Sequence, residues 1–160
     1  KNRFELYPAD EFAIYTTPPS PADLRLALEI VNPKKIYLIG VSPAQENAPS
    51  RVRMTDEFLS RLAGLAKYVI NQRAGRVTVP ELAAATSQRQ SAVRIGLEWL
   101  AAGGHVSVQS EEEAVLLSAG NGEPNQYLQK ELYIAVKGIL EETAAYRAHF
   151  TRASVETLLP

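Results

Sequence analysis

The chain has 160 residues, 46% of them hydrophobic, which suits one ordinary domain or two small ones and excludes a disordered polypeptide. A formal net charge of -1 excludes a strong general attraction to polyanions, and the absence of cysteine excludes a disulfide framework and a thiolate metal site. No apolar run approaches the roughly 18 residues of a membrane span and no signal peptide precedes the first strand, so the expectation is a cytoplasmic protein with no membrane partner.

Phe12 to Thr16 is a short β-rich run that stops at Pro18-Pro19, because prolines cannot continue a strand ladder. Ser20 then suits a helix N-cap, with Pro21 at the first helical position, Asp23 in the first turn, and Leu24, Leu28 and Val31 along one face. That helix ends at Asn32-Pro33. Ile36 to Val41 follows as a continuous apolar run of the kind found in strands covered on both faces. Strand, helix and strand predict a right-handed crossover with the strands parallel. Two strands alone do not make a stable sheet. The missing neighbours are expected upstream or in a partner subunit, and Lys1 in place of Met predicts a fragment of a longer protein.

Ser42 to Arg53 carries Pro43, Asn47 and Pro49 without periodicity and reads as a linker. Thr55-Asp56-Glu57 opens a helix with Phe58, Leu62, Leu65, Tyr68 and Val69 in one stripe, closed by Gly75. Val77 to Val79 offers a short strand. Pro80 and Glu81 fit the first turn of a second helix, and Ser87 with Gln90 three residues on predicts the N-cap of a third. Ala92, Val93, Gly96, Leu97 and Leu100 make the dry face of that third helix, leaving Gln90, Ser91, Arg94 and Glu98 toward water. Gly103-Gly104 ends it. Val106 and Val108 alternate with polar neighbours, Glu111-Glu112-Glu113 form a tip, and Val115 to Leu117 run back. Helix, turn, helix and hairpin spell a winged helix-turn-helix. After Asn121-Gly122 and Pro124, residues 126 to 150 repeat apolar positions at helical spacing, including Val136 and Leu140, and predict a long terminal helix weakened at Gly138.

The expected fold class is thus α/β plus winged helix: a partial parallel strand-helix-strand unit and linker over 1–50, a winged helix-turn-helix over 51–120, and a C-terminal helix packing on the rest over 121–160. Charge is uneven along it. Between Arg51 and His105 eight Lys and Arg face only Asp56, Glu57, Glu81 and Glu98, an excess of four positive charges. Gln88, Arg89, Gln90, Ser91 and Arg94 at the start of the third helix carry the donors used for phosphate and base-edge contacts, and Arg73 and Arg76 extend the positive surface. These seven are the candidate nucleic-acid-binding residues. The acidic hairpin tip would meet phosphate with like charge, and a protein-docking role for the winged helix stands as the alternative.

Catalytic signals are missing. His105 and His149 have no evident partner, three adjacent glutamates at a tip diverge, and Trp99 reads as core. Lys34-Lys35 reads as surface charge. Gly40 has no glycine-rich phosphate fingerprint after it. The expectation is a non-catalytic fragment with no cofactor and no metal site.

Thr16-Thr-Pro-Pro-Ser-Pro-Ala-Asp-Leu24 followed by Asn32-Pro-Lys-Lys-Ile-Tyr-Leu-Ile39, then the winged helix and terminal helix, resembles the C-terminal region of RecJ-type single-strand-DNA-specific exonucleases. The three hairpin glutamates depart from that pattern. The resemblance implies a parent enzyme that degrades single-stranded DNA from the 5′ end with magnesium or manganese held by an upstream Asp-His-His core, acting in DNA recombination and repair. It implies for this region an accessory role facing single-stranded DNA, the upstream catalytic core or a protein partner, and it carries over no catalytic residue. The competing reading is a stand-alone winged-helix transcription regulator.

Overall fold

The computed structural model describes residues 2–41, 51–112 and 114–159, the side chains of residues 51 and 52 excepted. The chain forms two compact units, Lys1–Ala48 with Glu142–Pro160, and Pro49–Glu141. It is a mixed α/β chain with six helices and two small sheets among the described residues.

In the first unit β1 (Glu11–Thr16) and β2 (Lys35–Val41) pair in parallel, with Phe12 opposite Ile36 and Ile14 opposite Leu38. Helix α1 (Pro21–Val31) connects them. It starts as the sequence predicts: Ser20 is extended, and its hydroxyl accepts from the Asp23 backbone N–H. Asn32 closes it in the left-handed region at φ 46°, a conformation that Asn tolerates. Ile14, Leu24 and Phe150 form the small core, with Phe12, Leu28, Ile36, Leu38 and Tyr146 packed around them.

Among the described residues only one face of this sheet is covered. Tyr15, Tyr37, Ile39 and Val41 are 62%, 41%, 55% and 44% exposed. Among the described residues the expectation that Ile36 to Val41 is buried on both sides is therefore not met. Residues on the inner face meet α1 and the last turns of the terminal helix, whereas no described element of the unit packs on the outer face.

The second unit opens with α2 (Arg51–Gln72), then β3 (Arg76–Val77), α3 (Val79–Thr86), α4 (Gln90–Ala102) and the antiparallel hairpin of β4 (Val106–Ser110) and β5 (Val115–Ala119). β3 adds to the hairpin beside β5, so the sheet order is β3-β5-β4. The last part of the expected linker is already helical, since α2 includes Arg51 to Arg53; residues 42–50 lie outside the described residues. Phe58, Leu62 and Val69 are buried as the stripe predicts, but Tyr68 is 58% exposed and Leu59 and Ala66 take the inward places.

Two close approaches set this core. Gly96 of α4 lies against α2, where an added Cβ would come within 2.6 Å of Leu62 Cδ2. Gly75 has φ +81°, and an added Cβ would lie 2.1 Å from the Leu117 carbonyl oxygen, so only glycine lets the end of α2 turn into the sheet. Helix α5 (Gln126–Phe150) spans the predicted range. Val136 and Leu140 join the core of the second unit while Phe150 joins that of the first, so residues 121–160 are shared between the units. A short helix, α6 (Val155–Leu158), follows. No described helix is long and apolar enough to cross a membrane.

Candidate nucleic-acid interface

The face that carries the candidate residues is built by two successive helix starts. The first is a capping box: the Thr78 hydroxyl accepts from the Glu81 backbone N–H at 3.2 Å, and the Glu81 carboxylate accepts from the Thr78 backbone N–H at 2.7 Å. Arg73 adds an ion pair to Glu81 at 3.0 Å. The backbone N–H of Thr78, followed by the Thr78 hydroxyl and Arg73, holds the Glu81 carboxyl below the usual carboxylate range.

The second start differs from the sequence expectation. Ser87 does not cap α4; it ends α3 in the left-handed region at φ 54°, with its N–H donating to Ala83 and Ala84 carbonyls. Arg89 occupies the N-cap of α4 and provides no side-chain cap. Gln88 and Arg89 therefore lie in the turn, Gln90 and Ser91 in the first turn of the helix, and Arg94 one turn further. Burial along α4 itself follows the helix period. Ala92, Val93, Gly96, Leu97 and Leu100 are buried, Ser91, Arg94 and Glu98 are exposed, and Gln88, Arg89 and Gln90 are half-buried at the rim.

Ser91 and Arg94, one helical turn apart, share a solvent-facing stripe, and Arg94 makes no ion pair among the described residues. Arg73 and Arg76 are placed differently. Arg73 is held by Glu81, and Arg76 by Glu111 of the hairpin at 2.8 Å. The positive surface expected from both is thus partly neutralised. Glu112 is exposed, and Glu113 lies outside the described residues. Arg61 of α2, which the sequence reading did not single out, donates to the Ala85 carbonyl at 2.7 Å and so ties α2 to the last turn of α3.

Such an arrangement offers to an anionic or polar surface hydrogen-bond donors and, at Arg94, a cation with no ion pair among the described residues. Among the described residues no group of three His, Asp or Glu gathers as metal ligands. No protein-family model, no curated protein and no solved structure matches the chain.

Proposed function

We propose that this chain is a non-catalytic accessory region of a RecJ-like single-strand-DNA exonuclease, and that its second unit is a winged helix-turn-helix that presents the start of α4 to single-stranded DNA. The order helix, short strand, helix, tight turn, helix and hairpin supports the winged-helix reading. The observation that carries the DNA reading is the exposed Ser91–Arg94 stripe at the start of α4, following directly on the turn that holds Gln88 and Arg89. In this reading the parent's magnesium or manganese belongs to the upstream core, and this region contributes affinity only.

The ion pairs Arg73–Glu81 and Arg76–Glu111 favour a second reading, in which the same face docks a protein, because they remove two cations that a phosphate surface would use. Fluorescence anisotropy with a labelled single-stranded oligonucleotide separates the two. At low salt the parent chain should bind, and an Arg89→Ala, Arg94→Ala variant with unchanged circular dichroism should bind tenfold or more weakly, taking each lost charge-assisted contact at roughly 1 kcal/mol or more. Equal binding by the variant removes α4 from the DNA surface, and absence of binding by the parent leaves the protein-docking reading.

A further inference from the structure

Trp99, read from the sequence as a core residue, is only half-buried and forms one wall of an open cleft of about 610 Å³ in the second unit. The cleft follows one face of α2. Leu59, Ala63 and Ile70 give it an apolar floor, and Trp99 and His105 also line it, with ring centroids 6.4 Å apart and planes inclined at 32°. Lys67 is exposed, is the only Lys or Arg among the described lining residues, and makes no ion pair among the described residues. Asp56, the one carboxylate among the described lining residues, accepts from the Tyr133 hydroxyl at 2.9 Å and lies about three helical turns from Lys67. The volume matches that of small-ligand sites, which pair an apolar lining with a few polar groups.

We propose that this cleft binds a small planar aromatic anion, with its ring against the Trp99–His105 wall and its charge at Lys67. Aromatic faces reward stacking of a flat ring, and a lone cation beside an apolar floor rewards one negative group at the ring's edge. Two sources share this chemistry, a nucleotide and a free aromatic carboxylate. The site does not depend on the DNA reading of α4, which uses different residues.

The test follows the indole N–H resonance of Trp99 in the intact chain, which is unambiguous because the chain contains one tryptophan. Deoxyadenosine monophosphate and indole-3-acetate are titrated beside their neutral counterparts, deoxyadenosine and indole. The proposal expects a saturable shift with at least one anion, tighter than its neutral counterpart. Lys67→Gln should weaken that anion about fivefold, the size of one exposed charge contact, and Ala63→Phe should fill the floor and abolish the shift. Response to the nucleotide alone identifies a nucleotide source, and response to the carboxylate alone identifies a free aromatic acid. Absence of a saturable shift with every probe overturns the proposal, as does equal affinity for anion and neutral counterpart or indifference to Lys67→Gln. The anion-to-neutral comparison and Lys67→Gln decide the matter if Ala63→Phe does not fold. Arg94→Ala should leave the titration unchanged.

Discussion

The two units are built to different depths. Among the described residues, eighteen buried side chains from α2, β3, α3, α4, the hairpin and α5 form one cluster in the second, whereas the first has a buried cluster of three, Ile14, Leu24 and Phe150, under a two-stranded sheet. A parallel pair normally has both faces covered and further strands at its edges. Here the outer face shows Tyr15, Tyr37 and Ile39 to solvent. Completeness of a hydrophobic core, more than the quality of individual caps, separates the two: α1 has a better-capped start than α4, yet α4 sits in the deeper core.

Loss of a whole unit is the largest expected effect, and it breaks the comparison at its weak side. Ile36 is partly buried, so Ile36→Asp forfeits at most about 1.5–3 kcal/mol of apolar burial, and it also sets a charge on the packed face of the thin core. It should unfold the first unit while amide exchange in α2 to β5 stays slow; simultaneous loss of both would show that the units do not fold separately. Leu62→Ala, at a fully buried position beside Gly96, should cost the second unit about 2–5 kcal/mol in denaturant unfolding. A cost below 1 kcal/mol would mean that this core is far looser than its burial indicates.

A smaller effect concerns the capping box. Thr78→Ala should cost about 1 kcal/mol. Glu81 has a depressed carboxyl, so its contribution is fully present above the unfolded-state value and is lost as pH falls through the lower folded-state one. Stability of the second unit should therefore decline on acidification below about pH 4, and Glu81→Gln should flatten that part of the profile. An identical acid profile in the variant would place the dependence elsewhere. Least of all, Ile39→Ser on the open face should change stability by no more than about 0.5 kcal/mol in thermal melting. A loss comparable with Ile36→Asp would mean that this face is covered in solution.

Much of this architecture is legible in the residues. Ser20-Pro21, the α4 stripe, the hairpin alternation and the extent of α5 all follow from capping chemistry and periodicity. What failed did so for physical reasons. Ser87-x-x-Gln90 and Thr78-x-x-Glu81 share one capping pattern at the starts of two different helices: Thr78, expected within a strand from Val77 to Val79, caps α3 instead and leaves β3 to end at Val77, whereas the turn between α3 and α4 holds Ser87 in the left-handed region and its box does not form. A continuous apolar run such as Ile36 to Val41 records that a strand can be covered on both sides, not that its own chain supplies the cover. The pairing of Arg76 with Glu111 depends on β3 joining β5, which brings together residues far apart in sequence. Trp99 looked internal because it lies near the dry face of α4, and the cleft beside it is completed by residues of α2, β4 and β5 that are distant in sequence.

The functional claim falls on the deeper unit, and chemical-shift mapping of single-stranded DNA onto the intact chain tests it most directly. Salt-sensitive perturbations should centre on Gln88 to Arg94 and leave Tyr15, Tyr37 and Ile39 unmoved, with each phosphate-contacting arginine contributing roughly one unit to the salt slope. Perturbations confined to the open sheet face, with Arg89 and Arg94 silent, would contradict the account.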